Sequence, residues 1–230
     1  MTKRTFKDAV YRQLALAGKA LSSPKRLELL ELLSQAPRTV EVLAAETDTT
    51  VANASQHLQI LFAAGLVEAQ KDGRFVTYRL ADDSVGGFLR DFRILAENRR
   101  AEIDRIKQRF FGEMGDAEPV DQETLIERVR GGEAIVLDVR PPEEFQHAHL
   151  FGAISVPLQE LDGRLSELPR NKEVVAYCRG PFCVLAVEAV GRLRAKGISA
   201  YRLEGSVYDL RAQGLPITPT ASGNPPAAHR

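Results

Sequence analysis

Apolar residues in the first part of the chain recur at helical spacing. Residues 6–21 predict an amphipathic helix, and a second helix begins after Ser23 and stops at Pro37. Thr39 and Thr50 each stand at the N-cap of a further helix. The pattern therefore predicts four consecutive helices.

The pattern then changes to short alternating runs. Residues 66–70 and 75–80 predict two strands, joined by a turn that contains Asp72-Gly73. Residues 84–111 keep one apolar stripe and predict a single long helix. Such a helix usually packs on a partner, and a second copy of the chain is the simplest one.

Three helices followed by a hairpin are the order of a winged helix-turn-helix, whose recognition helix enters the major groove. That helix starts at Thr50 and is expected to turn a core face inward, formed by Val51, Ala54, Leu58 and Leu61. The side chains on or beside its outer face are Ala52, Asn53, Ser55, Gln56 and Gln59. Asn and Gln can pair with adenine, and Ser can bond to bases or phosphate.

Other interpretations of these residues stay open. The polar face can be an ordinary solvated surface, although the hairpin that follows favours DNA contact. His57 is as compatible with a phosphate contact as with a surface position. Arg74, at the tip of the hairpin, fits a phosphate or minor-groove contact better than a solvated turn.

The run from Thr50 to Leu61, followed by Ala64-Gly65-Leu66-Val67, resembles the ArsR family of bacterial repressors. The resemblance covers about residues 10–110. It implies a homodimer on a palindromic operator that an inducer releases. Because residues 39–46 lack Cys and residues 84–111 lack both His and Cys, a metal inducer in this half is disfavoured, and we expect no metal site.

The second half alternates strands and helices. Apolar runs at 134–139 and 173–177 fit buried parallel strands, and 183–196 fits a helix. The fold class predicted for the whole chain is a two-domain α+β protein with an N-terminal winged helix-turn-helix and a C-terminal α/β domain. The predicted boundaries are 1–111 for DNA binding and dimerisation, 112–120 for a linker, 121–219 for the α/β domain and 220–230 for a disordered tail.

Candidate chemistry lies in the loop Cys178-Arg179-Gly180-Pro181-Phe182-Cys183, between a strand and a helix. Loop N–H groups and a helix N-terminus are expected to stabilise a thiolate on Cys178 and to lower its pKa. Gly180 permits a tight turn, and Arg179 adds positive charge at the rim.

Residues 120–219 resemble a single-domain rhodanese. The matching segments are Asp138-Val139-Arg140, Glu143-Glu144-Phe145, 149–154, 178–183, Leu203-Glu204-Gly205 and Gly214-Leu215-Pro216. The resemblance implies that Cys178 takes sulfane sulfur from a donor such as thiosulfate or polysulfide, and that Asp138 and Arg140 brace the loop through an ion pair. Ser206, Leu210 and Phe151 depart from the family pattern.

Cys183 has two interpretations of equal weight. It is either a small buried residue at the helix start or a resolving thiol that attacks sulfur carried on Cys178. Two cysteines in a chain of 230 residues are too few for a disulfide scaffold.

Composition changes this picture little. Residues 1–112 hold 18 Lys+Arg against 14 Asp+Glu, which gives +4, and the remainder hold 13 against 17, which gives −4. The excess of positive charge in the first half is consistent with a nucleic-acid partner there. No apolar run approaches the roughly 20 residues of a membrane span, so a cytoplasmic location without membrane contact is expected, and no cofactor is implied.

The sequence supports a transcriptional regulator, most simply a repressor, whose operator affinity depends on sulfane sulfur at Cys178. Two alternatives remain. One is a sulfurtransferase enzyme that uses DNA binding only for localisation or autoregulation. The other is a catalytically silent protein-interaction domain joined to a DNA-binding domain.

Overall fold

The computed structural model describes residues 1–73, 75–113, 122–168 and 172–219. The chain forms two compact units, Met1–Asp91 and Phe92–Arg230. This division lies inside a helix, whereas the sequence placed the domain boundary at 111, which stays a prediction. Residues 114–120 of the predicted linker and the predicted tail at 220–230 lie outside the described residues.

The first unit is built from helices and a small sheet. Its elements are α1 (Lys3–Leu21), α2 (Pro24–Gln35), β1 (Arg38–Thr39), α3 (Val40–Glu46), α4 (Val51–Ala63), β2 (Val67–Asp72), β3 (Phe75–Leu80) and the start of α5 (Asp83–Arg99). Leucines of α2, α3 and α4 form the core, together with Val67 and Tyr78 of the sheet. The four predicted helices and the hairpin are confirmed.

The hairpin carries one strand more than predicted. β2 and β3 pair antiparallel, with Val67 opposite Leu80, and the two-residue strand β1 pairs with the other edge of β3. Gly73, in the turn, has a φ of 59°, which a residue without a side chain adopts without strain. β1 was not predicted because a strand of two residues is too short to show an alternation of apolar and polar positions.

One residue of the recognition helix faces the other way from the prediction. Ala54, Leu58 and Leu61 are buried, but Val51 is 47% exposed. Val51 is the first residue of α4, where the helix extends beyond the core beneath it. The inward face therefore begins at Ala54.

The long helix predicted at 84–111 is broken. α5 ends at Arg99 and α6 (Ala101–Glu113) follows after Arg100. Lys107 Nζ lies 3.5 Å from Glu97 Oε1, although ten residues of straight helix would span about 15 Å. The chain therefore bends back at Arg100, and the ion pair between the two helices stabilises the bend, which an apolar pattern alone does not reveal.

The second unit contains a parallel sheet. Beyond α6 its elements are α7 (Gln122–Arg130), β4 (Ala134–Asp138), α8 (Pro142–His147), β5 (Ala148–Leu150), β6 (Ile154–Ser155), α9 (Leu161–Arg164), β7 (Glu173–Tyr177), α10 (Leu185–Ala195), β8 (Ala200–Arg202), α11 (Val207–Ala212) and β9 (Ile217–Pro219). The strand order is β6-β4-β7-β8, all parallel, and β5 pairs with β9 separately. The predicted α/β fold with a parallel sheet is confirmed.

Successive residues of the two central strands face opposite sides of this sheet. Leu137 of β4 and Ala176 of β7 pack with α10, whereas Val136 and Val175 pack in the cluster that holds α7 and α11. Burial on both faces explains why these strands read as continuous apolar runs. The carboxyl ends of β4 and β7 lie side by side, which places the residues that follow them in one region.

Candidate functional site: a buried cysteine loop and an exposed recognition helix

Cys178 lies directly after β7 and is almost fully enclosed. It is 3% exposed and packs in the core beside α10, whereas Cys183 is only half-buried. The Cys178 Sγ is 3.6 Å from the carbonyl oxygen of Cys183, and the Cys183 N–H donates to the Gly180 carbonyl at 3.1 Å. The loop thus folds tightly and brings the Cys178 thiol to the backbone of Cys183, and both cysteines are free thiols.

The two thiols differ in acidity. Burial raises the pKa of Cys178 well above its usual value, the hydrogen bond to Cys183 raises it further, and N–H groups of Ala186 and Gly180 oppose the change. The hydrogen bond from Cys178 lowers the pKa of Cys183 to about 7. Burial opposes that second shift, and N–H groups of Arg179 and Leu185 with the Arg179 charge assist it.

Burial of the Cys178 thiol acts against the lowered pKa that the sequence predicts for it. The loop does supply N–H donors to that sulfur, but the desolvation of a nearly enclosed thiolate outweighs them. The electropositive side of the loop instead favours ionisation of the partly exposed Cys183. The Cys178 thiol donates to the Cys183 carbonyl oxygen, so the two cysteines belong to one hydrogen-bonded loop.

Arg179 is fixed by a carboxylate to which the sequence gave no separate role. Arg179 Nε donates to Glu144 Oε1 at 2.8 Å, and Arg179 Nη2 lies 2.6 Å from the same oxygen. Glu144, on α8, is fully buried. The pair ties the loop to α8. The sequence shows two adjacent carboxylates in the segment Glu143-Glu144-Phe145. It does not show which of the two is buried and contacts Arg179.

Asp138 and Arg140 form the predicted ion pair. Arg140 Nε donates to Asp138 Oδ1 at 2.9 Å and its terminal nitrogen to Oδ2 at 2.7 Å, with both residues buried. Although burial acts in the opposite direction, hydrogen bonds and the charge of Asp138 raise the pKa of Arg140 above its usual value. The Arg140 side chain also donates to the Ala148 carbonyl at 2.7 Å. The pair thus joins β4 to β5.

Tyr177 connects this pair to the cysteine loop. Its hydroxyl donates to Asp138 Oδ2 and accepts from the Leu150 N–H at 3.1 Å. Burial and the Asp138 charge raise the pKa of Tyr177 far above its usual value, so that it stays protonated. Since Tyr177 directly precedes Cys178, the hydrogen bonds hold the residue at the entrance of the loop. Pattern reasoning had treated Tyr177 only as a strand residue.

The recognition helix α4 presents a different kind of site. Thr50 caps it, because its hydroxyl accepts from the Asn53 N–H at 3.2 Å. Ala52, Asn53, Gln56 and Gln59 are exposed, while Ser55 and His57 are half-buried. The Gln59 amide lies 3.4 Å from the Tyr78 hydroxyl, and His57 Nδ1 is buried without a hydrogen-bond partner among the described residues. Arg74 lies outside the described residues.

Among the described residues, no three His, Cys, Asp or Glu side chains are grouped so that they could hold a metal ion. None of the described helices is long and apolar enough to cross a membrane.

Comparison with known protein families matches both halves of the chain. The rhodanese-like domain family matches residues 121–213, and a helix-turn-helix domain family matches residues 21–70. These matches confirm the two resemblances derived from the sequence.

Similar proteins extend this result. The chain is 38% identical to the HTH-type transcriptional regulator Rv0324 of Mycobacterium tuberculosis over 92% of each chain. Over 43% of its length it is 30% identical to a sulfurtransferase of Allochromatium vinosum, covering 92% of that protein. A homodimeric winged helix-turn-helix DNA-binding domain from Mycobacterium bovis is 36% identical, with a TM-score of 0.41, over 44% of this chain and 91% of that one.

The chain belongs to the family of HTH-type transcriptional regulators that includes Rv0324. It is a transcriptional regulator that carries a helix-turn-helix domain and a rhodanese-like domain on one polypeptide.

Proposed function

We propose that this regulator binds operator DNA as a homodimer, most simply as a repressor in the cytoplasm, and that sulfane sulfur on Cys178 changes its affinity for the operator. The observation that carries the proposal is the loop itself. A nearly enclosed thiol, with N–H donors from Gly180 and Ala186 and a second thiol beside it, lies on the same chain as the helix-turn-helix unit.

The recognition helix supports the DNA-binding part of the proposal. Asn53, Gln56 and Gln59 point from one exposed face of α4, and amide side chains can pair bidentately with adenine in the major groove. Thr50, Ala52, Ser55 and His57 complete the proposed contact surface at the same end and flank of the helix. Arg74 is proposed as a phosphate contact from the tip of the hairpin.

An exposed apolar stripe on α1 supports dimerisation. Phe6, Val10 and Leu14 follow one another at intervals of four residues and are 53%, 42% and 61% exposed. Residues four apart lie on one face of a helix, so the three side chains form a continuous apolar strip. A second copy of the chain provides a matching strip for a symmetric interface.

The cysteine loop supports the sulfur-carrying part. A persulfide at Cys178 would place an anionic sulfur among N–H donors, and such donors stabilise an anion. Arg179 and Gly180 belong to the loop, and Asp138 and Arg140 hold its entrance through Tyr177. A coupling free energy of about 1–3 kcal/mol between the sulfur and DNA sites suffices for a useful switch.

Binding of the purified, reduced protein to its own upstream DNA tests the proposal. Fluorescence anisotropy is measured before and after treatment with polysulfide, and again after a reductant. We expect an affinity loss on the order of 5- to 150-fold that the reductant reverses and that Cys178→Ser abolishes. A Cys178→Ser protein that is folded and still releases DNA on treatment would refute sulfur sensing at this residue.

The second candidate function is a sulfurtransferase whose DNA binding serves localisation or autoregulation. The match to the Allochromatium vinosum sulfurtransferase favours it, since that match spans nearly the whole of that protein. Rapid turnover of thiosulfate with a small-thiol acceptor, without any effect on DNA affinity, would establish this alternative. Cysteines that accept no sulfur at all would leave the domain as a protein-interaction module.

A further inference from the structure

We infer that Lys107 of α6 is a donor-binding residue of the cysteine loop, and that its charge selects small anionic sulfur donors over uncharged ones. The inference rests on the proposed function, since it names the class of donor that the loop accepts. It adds to the site a residue from outside residues 121–213, the segment that matches the rhodanese-like domain family.

Helices α5 and α6 contact the segments at the carboxyl end of the parallel sheet. Arg202, the last residue of β8, lies over the ring of Phe111 of α6, with 4.7 Å between the guanidinium carbon and the ring centre. Phe111 is buried. Arg93 of α5 forms an ion pair with Asp209 of α11, which follows β8. Because β7 and β8 are parallel neighbours, these contacts hold α6 at the end of the sheet where the cysteine loop begins.

Lys107 extends from α6 to the outer part of the cysteine loop. Its Nζ lies 6.0 Å from the centre of the Phe182 ring, at the limit of a cation–π contact. Phe182 is 41% exposed and directly precedes Cys183. Lys107 therefore adds a cation at the rim of the loop, in addition to that of Arg179.

The neighbouring carboxylates hold Lys107 only loosely. Glu97 Oε2 lies 2.8 Å from Arg93 Nη1, whereas Glu97 Oε1 lies 3.5 Å from Lys107 Nζ. Buried Glu144 partly offsets the charge of Arg179 at 2.6 Å. The Lys107 side chain is 22% exposed, so its ammonium group keeps contact with the solvent. An anion that reaches the loop can thus pair with Lys107 without breaking a short ion pair.

The charge of Lys107 suits the chemistry of inorganic sulfur donors. Thiosulfate and polysulfides are anions, and the sulfur that they transfer is bonded to the charged part of the same small molecule. A cation at the mouth of a partly enclosed site raises the local concentration of such donors. Lys107 is therefore expected to act in donor binding and not in the transfer of sulfur itself.

Two alkylating reagents of nearly equal size, anionic iodoacetate and neutral iodoacetamide, test this charge without any sulfur chemistry. The rates at which they modify the cysteines of the loop are measured by peptide mass spectrometry on the reduced, full-length protein. The ratio of the two rates removes differences in thiol reactivity. We expect Lys107→Gln to lower the iodoacetate-to-iodoacetamide ratio by about two- to fivefold, and Lys107→Arg to retain the wild-type ratio. At about 1 M salt, where the Debye length is about 3 Å, wild type and Lys107→Gln should converge.

Sulfur loading from thiosulfate gives the second readout. The Cys178 thiolate attacks the sulfane sulfur, an S–S bond forms on the cysteine, and the S–S bond of thiosulfate breaks as sulfite leaves with the electron pair. In Lys107→Gln the thiosulfate concentration at half-maximal rate should rise by about two- to fivefold, with the maximal rate unchanged. A lower maximal rate with the same half-saturation would contradict a role in donor binding.

Glu97→Gln separates the charge of Lys107 from its structural role in the bend between α5 and α6. If the ion pair mattered only for the bend, Glu97→Gln and Lys107→Gln would change the ratio in the same direction. The inference predicts opposite directions, because Glu97→Gln removes a negative charge beside Lys107 and should raise the ratio by about twofold. This expectation remains testable if circular dichroism shows that Lys107→Gln does not fold.

Lys196→Gln is the matched control for the loss of one positive charge. Lys196 is exposed and follows α10, whose 11 residues place it about 16 Å from the start of that helix at the cysteine loop. Its ratio should equal that of the wild type. A ratio that is unchanged in Lys107→Gln, or that falls equally in Lys196→Gln or in Glu97→Gln, would overturn the inference. None of these results alters the response of operator binding to polysulfide, so the proposed function is tested separately.

Discussion

The two candidate sites of this chain are built in opposite ways. The recognition helix α4 places Asn53, Gln56 and Gln59 at exposed positions, and Thr50 caps its N-terminus. The cysteine loop is instead supported by two ion pairs, Asp138–Arg140 at the end of β4 and Glu144–Arg179, which joins the loop to α8. We therefore expect substitutions on α4 to change DNA binding with little effect on folding, and substitutions behind the loop to change the stability of the second unit.

Asp138→Ala is the substitution expected to have the largest effect. It leaves the Arg140 guanidinium, 1% exposed, without its carboxylate, and it removes the acceptor of the Tyr177 hydroxyl. Breaking a buried pair from one side typically costs about 3–5 kcal/mol. Urea unfolding followed by circular dichroism measures the loss.

The control for Asp138 is the exposed pair between Asp162 and Arg192, whose nitrogen and oxygen lie 3.3 Å apart. Exposed ion pairs contribute about 0–1 kcal/mol, so Asp162→Asn should unfold almost as the wild type does. Equal losses in Asp138→Ala and Asp162→Asn would contradict the structural role given to the buried pair.

Glu144→Gln tests the second support of the loop. The substitution keeps the shape of the side chain but removes the charge that fixes Arg179, which is 19% exposed. A hydrogen bond to a charged group contributes about 1.5–3 kcal/mol, so we expect a loss of that order in urea unfolding. Arg179 should also lose its fixed position beside Cys183.

Glu188→Gln is the matched control for Glu144. Glu188 lies on α10 and is 3.7 Å from Arg192, with both side chains 40% exposed. The loss here should stay within about 1 kcal/mol. If Glu144→Gln were as stable as Glu188→Gln, the Glu144–Arg179 pair would not support the loop.

Asn53→Ala tests the recognition helix. The side chain is exposed, so the unfolding free energy should change little, whereas loss of a bidentate base contact costs about 1–3 kcal/mol of binding. Fluorescence anisotropy on the operator measures this loss. Glu41→Ala, at an exposed position on α3, serves as the control. Equal operator affinity of Asn53→Ala and the wild type would remove Asn53 from the DNA contact surface.

Most of the fold could be predicted from the sequence. The spacing of apolar residues within a single helix or strand shows which face of that element is buried. Ala54, Leu58 and Leu61 were assigned to the inner face correctly, and the parallel sheet followed from apolar runs buried on both sides. Val51 was assigned wrongly, because periodicity does not show where the core beneath a helix ends. The bend after Arg99 was missed for a similar reason, since an ion pair across the bend has no periodic signature.

The cysteine loop was located from sequence, but its chemistry was predicted only in part. The pair Asp138–Arg140 was anticipated, whereas the contact between Glu144 and Arg179 joins residues 35 apart and depends on tertiary packing. The lowered pKa predicted for Cys178 stays a prediction, and burial of the thiol acts against it. Loop shape suggests N–H donors, but the burial of the sulfur depends on how the loop packs against α10 in the folded protein.

The smallest predicted effect concerns the cap of the recognition helix. Thr50 accepts a hydrogen bond from the Asn53 N–H, whereas Ser23, at the same position before α2, makes no such bond with its side chain. Loss of a capping side chain costs about 0.5–2 kcal/mol, so Thr50→Ala should lower the unfolding free energy by about 1 kcal/mol. Ser23→Ala, measured in the same urea titration, should fall within a few tenths of a kcal/mol of the wild type. The sequence predicts a hydroxyl cap at both positions. Equal losses of unfolding free energy would show that the capping hydrogen bond of Thr50 contributes nothing to stability.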